Sequence, residues 1–181
     1  MNNDVVKLSQ AADYAARQHS AQRRKGESAE PYINHLTEVA ALLAEATDGS
    51  DAVLVMGGLL HDTLEDTDAT YADLVARFGL EVAALVQEVT DDKSLPKEVR
   101  KRLQVETTPS KSSRARLLKI ADKTSNLKSL MHSPPAGWTE DRLRAYVVWA
   151  EQVVRSCRGL NATLEAGFDA AYAAARQKFG A

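Results

Sequence analysis

The amino-acid sequence predicts an all-α fold in one domain, and three observations carry that expectation. Apolar residues recur at three- and four-residue spacings along nearly the whole chain, and no stretch alternates convincingly at period two. The breaks in that periodicity fall at glycine and proline, as at Gly49, Gly79 and Pro134-Pro135-Ala136-Gly137. Aromatic residues are 6% of the chain and glycines number nine in 181 residues, which offers little of a turn-rich sandwich or barrel.

Taken in order, the first helix is expected from Asp4 to about Ser20, with Leu8, Ala12, Ala15 and Ala16 inward, ending in the polar loop Arg23 to Glu30. Pro31 suits the opening of a second helix that runs to about Ala46 on the stripe Ile33, Leu36, Val39, Ala40 and Leu43. Thr47 to Ser50 reads as a turn. A third helix follows to about Glu65, and its first nine residues, Ala52 to Leu60, are so apolar that it should cross the core. Asp66 to Thr70 leads into a short capped helix, Tyr71 to Phe78, stopped by Gly79; the next runs from Leu80 to about Thr90. Asp91 to Ser94 separates it from a charged helix beginning near Pro96. Thr107 to Ser113 is polar and is expected to be mobile. Helices from about Arg114 to Leu130, Thr139 to Arg158 and Asn161 to Lys178 complete the chain.

Composition excludes several classes. Residues 1–181 fit one domain with a sizeable core, without repeats or a linker. No apolar run approaches the roughly 20 residues of a membrane span, and Met1 to Gln10 lacks a signal-peptide segment. The single cysteine, Cys157, rules out an internal disulfide and fits a reducing, cytoplasmic setting. Net charge is −2, with basic clusters at Arg23-Arg24-Lys25 and at Lys97, Arg100, Lys101 and Arg102. A solvated helix face explains such runs by default. Nucleic acid would call for a larger positive excess, so a compact polyanion is the better partner for them.

The chemistry concentrates in Leu59-Leu60-His61-Asp62-Thr63-Leu64-Glu65-Asp66, which follows directly on the apolar third helix. On a continuous helix His61 aligns with Glu65, and Asp62 with Glu65 and Asp66. Burying so many ionisable groups is costly without a metal or a proton-transfer role. A His-Asp dipeptide alone is weak, but it has echoes. His35 opens an amphipathic helix, and Asp122 sits on another apolar helix with Asn126 one turn on. Singly, Asp122 would be a salt-bridged structural residue and His35 a satisfied core histidine. Together His35, His61, Asp62 and Asp122 supply two imidazoles and two carboxylates from three helices, a donor set suited to Mn²⁺, Fe²⁺ or Zn²⁺. An open metal position would lower the pKa of bound water.

The pattern H…HD…D resembles that of the HD-domain phosphohydrolases. Within them the chain is similar to the hydrolase domain of RelA/SpoT proteins, above all the free-standing small alarmone hydrolases and metazoan SpoT homologues. The resemblance rests on Arg23-Arg24-Lys25, Pro31-Tyr32-Ile33-Asn34-His35, Leu60 to Thr67, Val89 to Lys93, Arg100 to Gln104, Ala121-Asp122-Lys123 and Gly137-Trp138, spanning about residues 10–160. The form His-Asp-Thr-x-Glu-Asp-Thr is far more specific than His-Asp alone. The resemblance implies an HD-type helical bundle that removes the 3′-pyrophosphate of guanosine tetra- and pentaphosphate, usually with Mn²⁺. It implies His35, His61, Asp62 and Asp122 as metal ligands and Glu65 and Asp66 as the pair that activates or orients water. It puts Arg24, Lys25 and Asn126 beside the nucleotide and Lys97, Arg142 and Tyr146 along its pocket, with Lys101 and Arg102 left as a surface or packing pair. A guanidinium fork and an ammonium suit a polyphosphate.

Two departures stand out. Leu36 occupies a position where the family usually has proline, and Thr124-Ser125 replaces a bulky pair whose second member can shape the base pocket. With no synthetase segment in the sequence, a chain acting on alarmone is expected only to degrade it. Two other readings compete: removal of the 2′-phosphate of NADPH, or another HD nucleotide hydrolysis, in the same pocket; and, from a different class, a sensor that binds nucleotide without turnover, which the Glu65-Asp66 pair disfavours.

Overall fold

The computed structural model describes residues 3–181; Met1 and Asn2, part of the polar N-terminal stretch, lie outside the described residues. Its order is α1 (Asn3–Gln18), α2 (Ile33–Ala46), α3 (Ala52–Leu60), α4 (Thr63–Asp66), α5 (Tyr71–Phe78), α6 (Leu80–Val89), α7 (Lys97–Thr107), a 3-10 turn (Thr108–Ser110), α8 (Ser113–His132), α9 (Glu140–Arg155) and α10 (Ala162–Phe179). Among the described residues there is no strand; extended pairing is limited to single bridges, Arg23 with Pro31 and Gly26 with Pro135. No helix among them is long and apolar enough to cross a membrane.

Helix α3 is the axis of the bundle. Every residue from Leu54 to Leu60 is buried, and α1, α2, α6 and α8 pack on it. Two glycines make that packing possible: a Cβ on Gly57 would lie 2.5 Å from Leu85 Cδ2, and one on Gly58 2.9 Å from Leu43 Cδ1. Helix α8 is the second spine, touching α2, α3, α6, α9 and α10. Leu36, Leu43, Leu54, Leu60, Leu118, Ile120, Leu127 and Phe168 are fully buried between these elements, each stabilising by about 1.5–3 kcal/mol relative to exposure. The functional groups sit where α2, the end of α3 and α8 converge.

Several boundaries differ from expectation, each for a visible reason. The third helix does not continue to Glu65. It stops at Leu60, His61 and Asp62 form a turn, and α4 restarts at Thr63. His61 Nδ1 lies 2.9 Å from Gly58 O, within the last turn of α3. In α1 the inward row is Ala11 and Ala15, continued by His19 just past its end, while Ala16 is exposed. Helix α2 begins at Ile33 rather than Pro31, because Pro31 is held in the bridge to Arg23. The segment expected to be mobile, Thr107 to Ser113, is instead fastened. Thr108 is buried, Ser112 caps α8, and Glu88 accepts from Ser112 N at 2.6 Å and from Ser112 Oγ at 2.7 Å.

Candidate active site

The turn at His61-Asp62 does what a regular helix could not. Neighbouring residues on a helix point apart, yet here His61 Nε2 and Asp62 Oδ2 come within 3.2 Å. From α2, His35 Nε2 reaches to 3.8 Å from the same oxygen, and from α8, Asp122 Oδ1 lies 3.3 Å from His35 Nε2 and 3.8 Å from His61 Nε2. Two imidazole nitrogens and two carboxylate oxygens from three elements thus face one buried point. The structure gathers all four residues that the sequence singles out, and His35, His61 and Asp62 have a geometry able to hold a metal ion.

The remaining contacts aim these atoms inward. His61 Nδ1 is engaged by Gly58 O and His35 Nδ1 by Ser125 Oγ at 2.8 Å, leaving both Nε2 atoms to the centre. Among the described residues the buried His61 Nε2 finds no partner aligned for a hydrogen bond, despite the nearby carboxylates, the condition expected of a nitrogen whose partner is a cation. Asp122 divides its oxygens: Oδ2 takes the Lys123 ammonium at 2.8 Å, while Oδ1 faces the centre and accepts from Asn126 Nδ2 at 2.6 Å. The donor set therefore fits a divalent metal.

The electrostatics agree. Burial opposes ionisation of Asp122, but Lys123 and then the two imidazoles hold its carboxyl well below the usual range. Asp62 is held down likewise, with His61 outweighing burial. Burial lowers the pKa of His35, whereas for His61 the carboxylates of Asp62 and Asp122 outweigh burial and push it up to about 10. Two carboxylates kept ionised at this depth, with a cation between them favoured, describe a site built to receive positive charge.

Glu65 and Asp66 sit apart from this quartet, on α4. Glu65 accepts from Asp91 N at 3.2 Å and pairs with Arg100 at 3.5 Å, and Asp66 pairs with Lys93. Burial, and beyond it the neighbouring Asp62, Asp91 and Asp66, raises the pKa of Glu65. The second basic cluster is accordingly divided. Arg100 serves Glu65, Arg102 makes a surface pair with Glu106 at 3.5 Å, and Lys101 lies 5.0 Å from the centre of the Trp149 ring.

Beside the quartet opens a cavity of about 210 Å³ walled by Arg24, Lys25, Tyr32, Asn126, Trp138 and Tyr146, among others. Arg24 Nη2 donates to Asn126 Oδ1 at 3.2 Å, which links the cavity wall through Asn126 to Asp122. Lys97 and Arg142 reach it by way of Trp138, their charged groups 5.8 and 4.3 Å from its ring centre. Tyr146 bridges Trp138 and Trp149, with ring centres 5.7 and 5.3 Å away. Among the described residues Arg24, Lys25, Lys97 and Arg142 have no carboxylate within salt-bridge distance. Burial and then Arg142, Lys101 and Lys25 lower the pKa of Lys97. Cations that crowd each other around a cavity suit a polyanionic ligand.

Sequence reasoning gave no role to several residues that the structure makes prominent. Tyr32 donates to Asp62 Oδ2 at 2.7 Å and lines the cavity; its place in the Pro31 to His35 segment was the available signal. Lys123, buried on an apolar helix beside Asp122, was another. Ser125 is fully buried against His35, and Thr124 is buried with its hydroxyl bonded to Ile120 O. Leu36 fills the core.

The HD-domain family model matches residues 11–155. The chain belongs to the HD-domain family. This HD-domain chain is 48% identical over 165 residues to the human guanosine-3′,5′-bis(diphosphate) 3′-pyrophosphohydrolase MESH1, covering 91% of this chain and 92% of that protein. Its identity to the Drosophila melanogaster protein of the same name is 46% over 164 residues, with the same coverage, 91% and 92%. A solved structure described as a metazoan ortholog of SpoT that hydrolyzes ppGpp superposes with a TM-score of 0.89 at 45% identity over 95% of both chains. The chain is thus an HD-domain protein of the metazoan SpoT-homologue kind, and its helical bundle is the fold of that group.

Proposed function

We propose that this HD-domain chain is a metal-dependent guanosine-3′,5′-bis(diphosphate) 3′-pyrophosphohydrolase, cleaving the tetra- or pentaphosphate to GDP or GTP and pyrophosphate, with Mn²⁺ as its metal. The observation that carries this reading is the convergence of His35, His61, Asp62 and Asp122 beside a cavity rich in unpaired cations. It is supported by the activity named for relatives that match almost end to end.

In this reading His35, His61, Asp62 and Asp122 hold the cation. A divalent metal there supplies Lewis acidity, acidifying water and offsetting phosphate charge. Hydrolysis forms a bond from water oxygen to the phosphorus carried on the ribose 3′-oxygen and breaks the bond between that phosphorus and the 3′-oxygen; the water loses a proton and the 3′-oxygen gains one, leaving a ribose hydroxyl and free pyrophosphate. Glu65, whose pKa is raised, is suited to accept the proton of the attacking water. Asp66, paired with Lys93, orients that water. Arg24, Lys25, Lys97 and Arg142 neutralise the polyphosphate, Tyr146 supports the pocket wall, and Asn126 ties Arg24 to Asp122. Such positioning and charge neutralisation are the main levers on phosphoryl chemistry.

The test is product analysis with Mn²⁺ over guanosine tetraphosphate, guanosine pentaphosphate, NADPH and a simple nucleoside triphosphate. Release of pyrophosphate from the first two, with a higher specificity constant than phosphate release from NADPH, is the expected result. Tight binding of guanosine tetraphosphate without any product would refute hydrolysis and leave a sensor.

A further inference from the structure

His35 and His61 offer the same nitrogen to the same point but are oriented by different devices. For His61 the device is backbone: Gly58 O accepts at Nδ1. For His35 it is a side chain on another helix. Ser125 Oγ lies 2.8 Å from His35 Nδ1 and donates to Glu38 Oε2 at 2.6 Å. We propose that Glu38 and Ser125 form a positioning relay that fixes His35 as the Nδ1–H tautomer, with its Nε2 lone pair turned to the metal. This rests on the metal reading given above and extends it to two residues that take no part in holding substrate.

Proton counting supports the relay. A serine hydroxyl has one hydrogen, and a carboxylate can only accept. Once the Ser125 hydrogen points to Glu38, its oxygen has only lone pairs left for His35. Nδ1 must then carry the hydrogen, and in a neutral imidazole that leaves Nε2 free to bind metal. The placement is sound: His35 and Glu38, three apart on α2, share a face, and α8 packs against it. Ser125 is completely buried, so solvent cannot substitute for the lost hydroxyl. The outer oxygen of Glu38 meets Lys128 at 3.4 Å, in a pair whose lysine side chain is 49% exposed; such a contact adds little. The order His–Ser–Glu, with serine in the middle and buried, also excludes Ser125 as a nucleophile, which would need an open face toward substrate.

The experiment is a Mn²⁺ titration of the full chain without nucleotide, followed by electron paramagnetic resonance of the free ion. Ser125→Ala should weaken Mn²⁺ binding by roughly ten- to a hundredfold, the range for partners of metal-bound histidine. Glu38→Ala, at a partly exposed position that should tolerate truncation, should do the same. The double variant should be no worse than Ser125→Ala alone, because both changes break one chain. Lys128→Ala should change binding by less than about twofold. In turnover assays the loss should appear in the Mn²⁺ concentration needed for half-maximal rate, with the nucleotide KM at saturating Mn²⁺ unmoved. Circular dichroism separates these outcomes from unfolding, and Glu38→Ala carries the test if Ser125→Ala does not fold. Wild-type affinity in folded Glu38→Ala, or fully additive losses in the double variant, overturns the relay while leaving the proposed function standing. A wild-type chain that binds no Mn²⁺ overturns the Mn²⁺ assignment and the relay together.

Discussion

At the proposed metal end of the site the side chains of His35, His61 and Asp122 are enclosed and fastened by neighbours; at the proposed nucleotide end Arg24, Lys97 and Arg142 stand on aromatic faces. His35, His61 and Asp122 are buried, and each has its second polar atom engaged, by Ser125, Gly58 and Lys123. Lys97 and Arg142 are exposed, and among the described residues their charged groups meet the Trp138 ring. The first region is pre-organised by protein contacts that remain whatever the ligand. The second keeps its charges uncommitted, so the ligand's own charge completes it. Loss of a group at the metal end should therefore disable the site, and loss of one at the rim should only weaken its grip.

The sharpest form of that contrast is Asp62→Ala. It removes a donor and breaks the bond from Tyr32. We expect Mn²⁺ binding to vanish by calorimetry and turnover to fall by on the order of a thousandfold or more, the several kcal/mol that metal catalysis contributes. Retention of either property in a folded variant would show that the two regions are not built as described.

The metal end was the legible one. His35, Asp62 and Asp122 break apolar periodicity, and a charged group inside a core stripe is conspicuous without any structure. Less visible was the turn that makes His61 and Asp62 converge. Periodicity averages over several residues, whereas this break is local to two residues and accompanied by one contact, His61 Nδ1 to Gly58 O. The tie between Ser125 and Glu38 was hidden for another reason: it joins residues 87 positions apart, and although Ser125 departs from the family pattern, nothing in the sequence links it to Glu38. At the rim, the family resemblance sets Lys97 apart from Lys101 and Arg102, but the pairing of Arg100 with Glu65 and the seat of Lys97 over Trp138 emerge only from helix packing.

Lys123→Met measures how much the metal end depends on enclosure. Removing the ammonium leaves Asp122 as a buried charge without its cation, which costs about 3–5 kcal/mol. The pH dependence has a definite sign. The pKa of Asp122 is depressed in the folded chain relative to an unfolded value of about 3.9. Its contribution to stability is therefore complete above roughly pH 4 and is lost as the pH falls through the folded value. The variant should thus differ most from wild type near neutrality and least in acid. Urea denaturation of metal-free protein at neutral pH and near pH 3 checks this; a deficit that does not shrink in acid would assign Lys123 a packing role through Trp149, 4.5 Å away.

At the rim the expected effects are smaller and of a different kind. Lys97→Ala or Arg142→Ala removes one charge-assisted contact, about 1.5–3 kcal/mol, or roughly ten- to a hundredfold in KM. Because these cations are exposed, the penalty should narrow as salt is raised. Steady-state kinetics at two ionic strengths reads both effects, and a salt-independent fall in kcat would place these side chains in the reaction itself.

Tyr146 tests the rim at its weakest point and distinguishes a wall from a ligand. Its ring stacks obliquely between Trp138 and Trp149, and burial foremost pushes its hydroxyl pKa up to about 12, so the group stays protonated at any working pH. If the ring is what matters, Tyr146→Phe preserves both aromatic contacts and should alter KM by no more than about twofold, the scale of 0.5 kcal/mol. Tyr146→Ala would forfeit about 0.5–1.5 kcal/mol for each aromatic pair and release Trp138, on which Lys97 and Arg142 rest. The loss would then spread to those cations, and combining Tyr146→Ala with Arg142→Ala should be less than additive. A large effect of Tyr146→Phe would instead mean that the hydroxyl touches the nucleotide, and the rim would hold a fixed polar contact of the kind the metal end is made of.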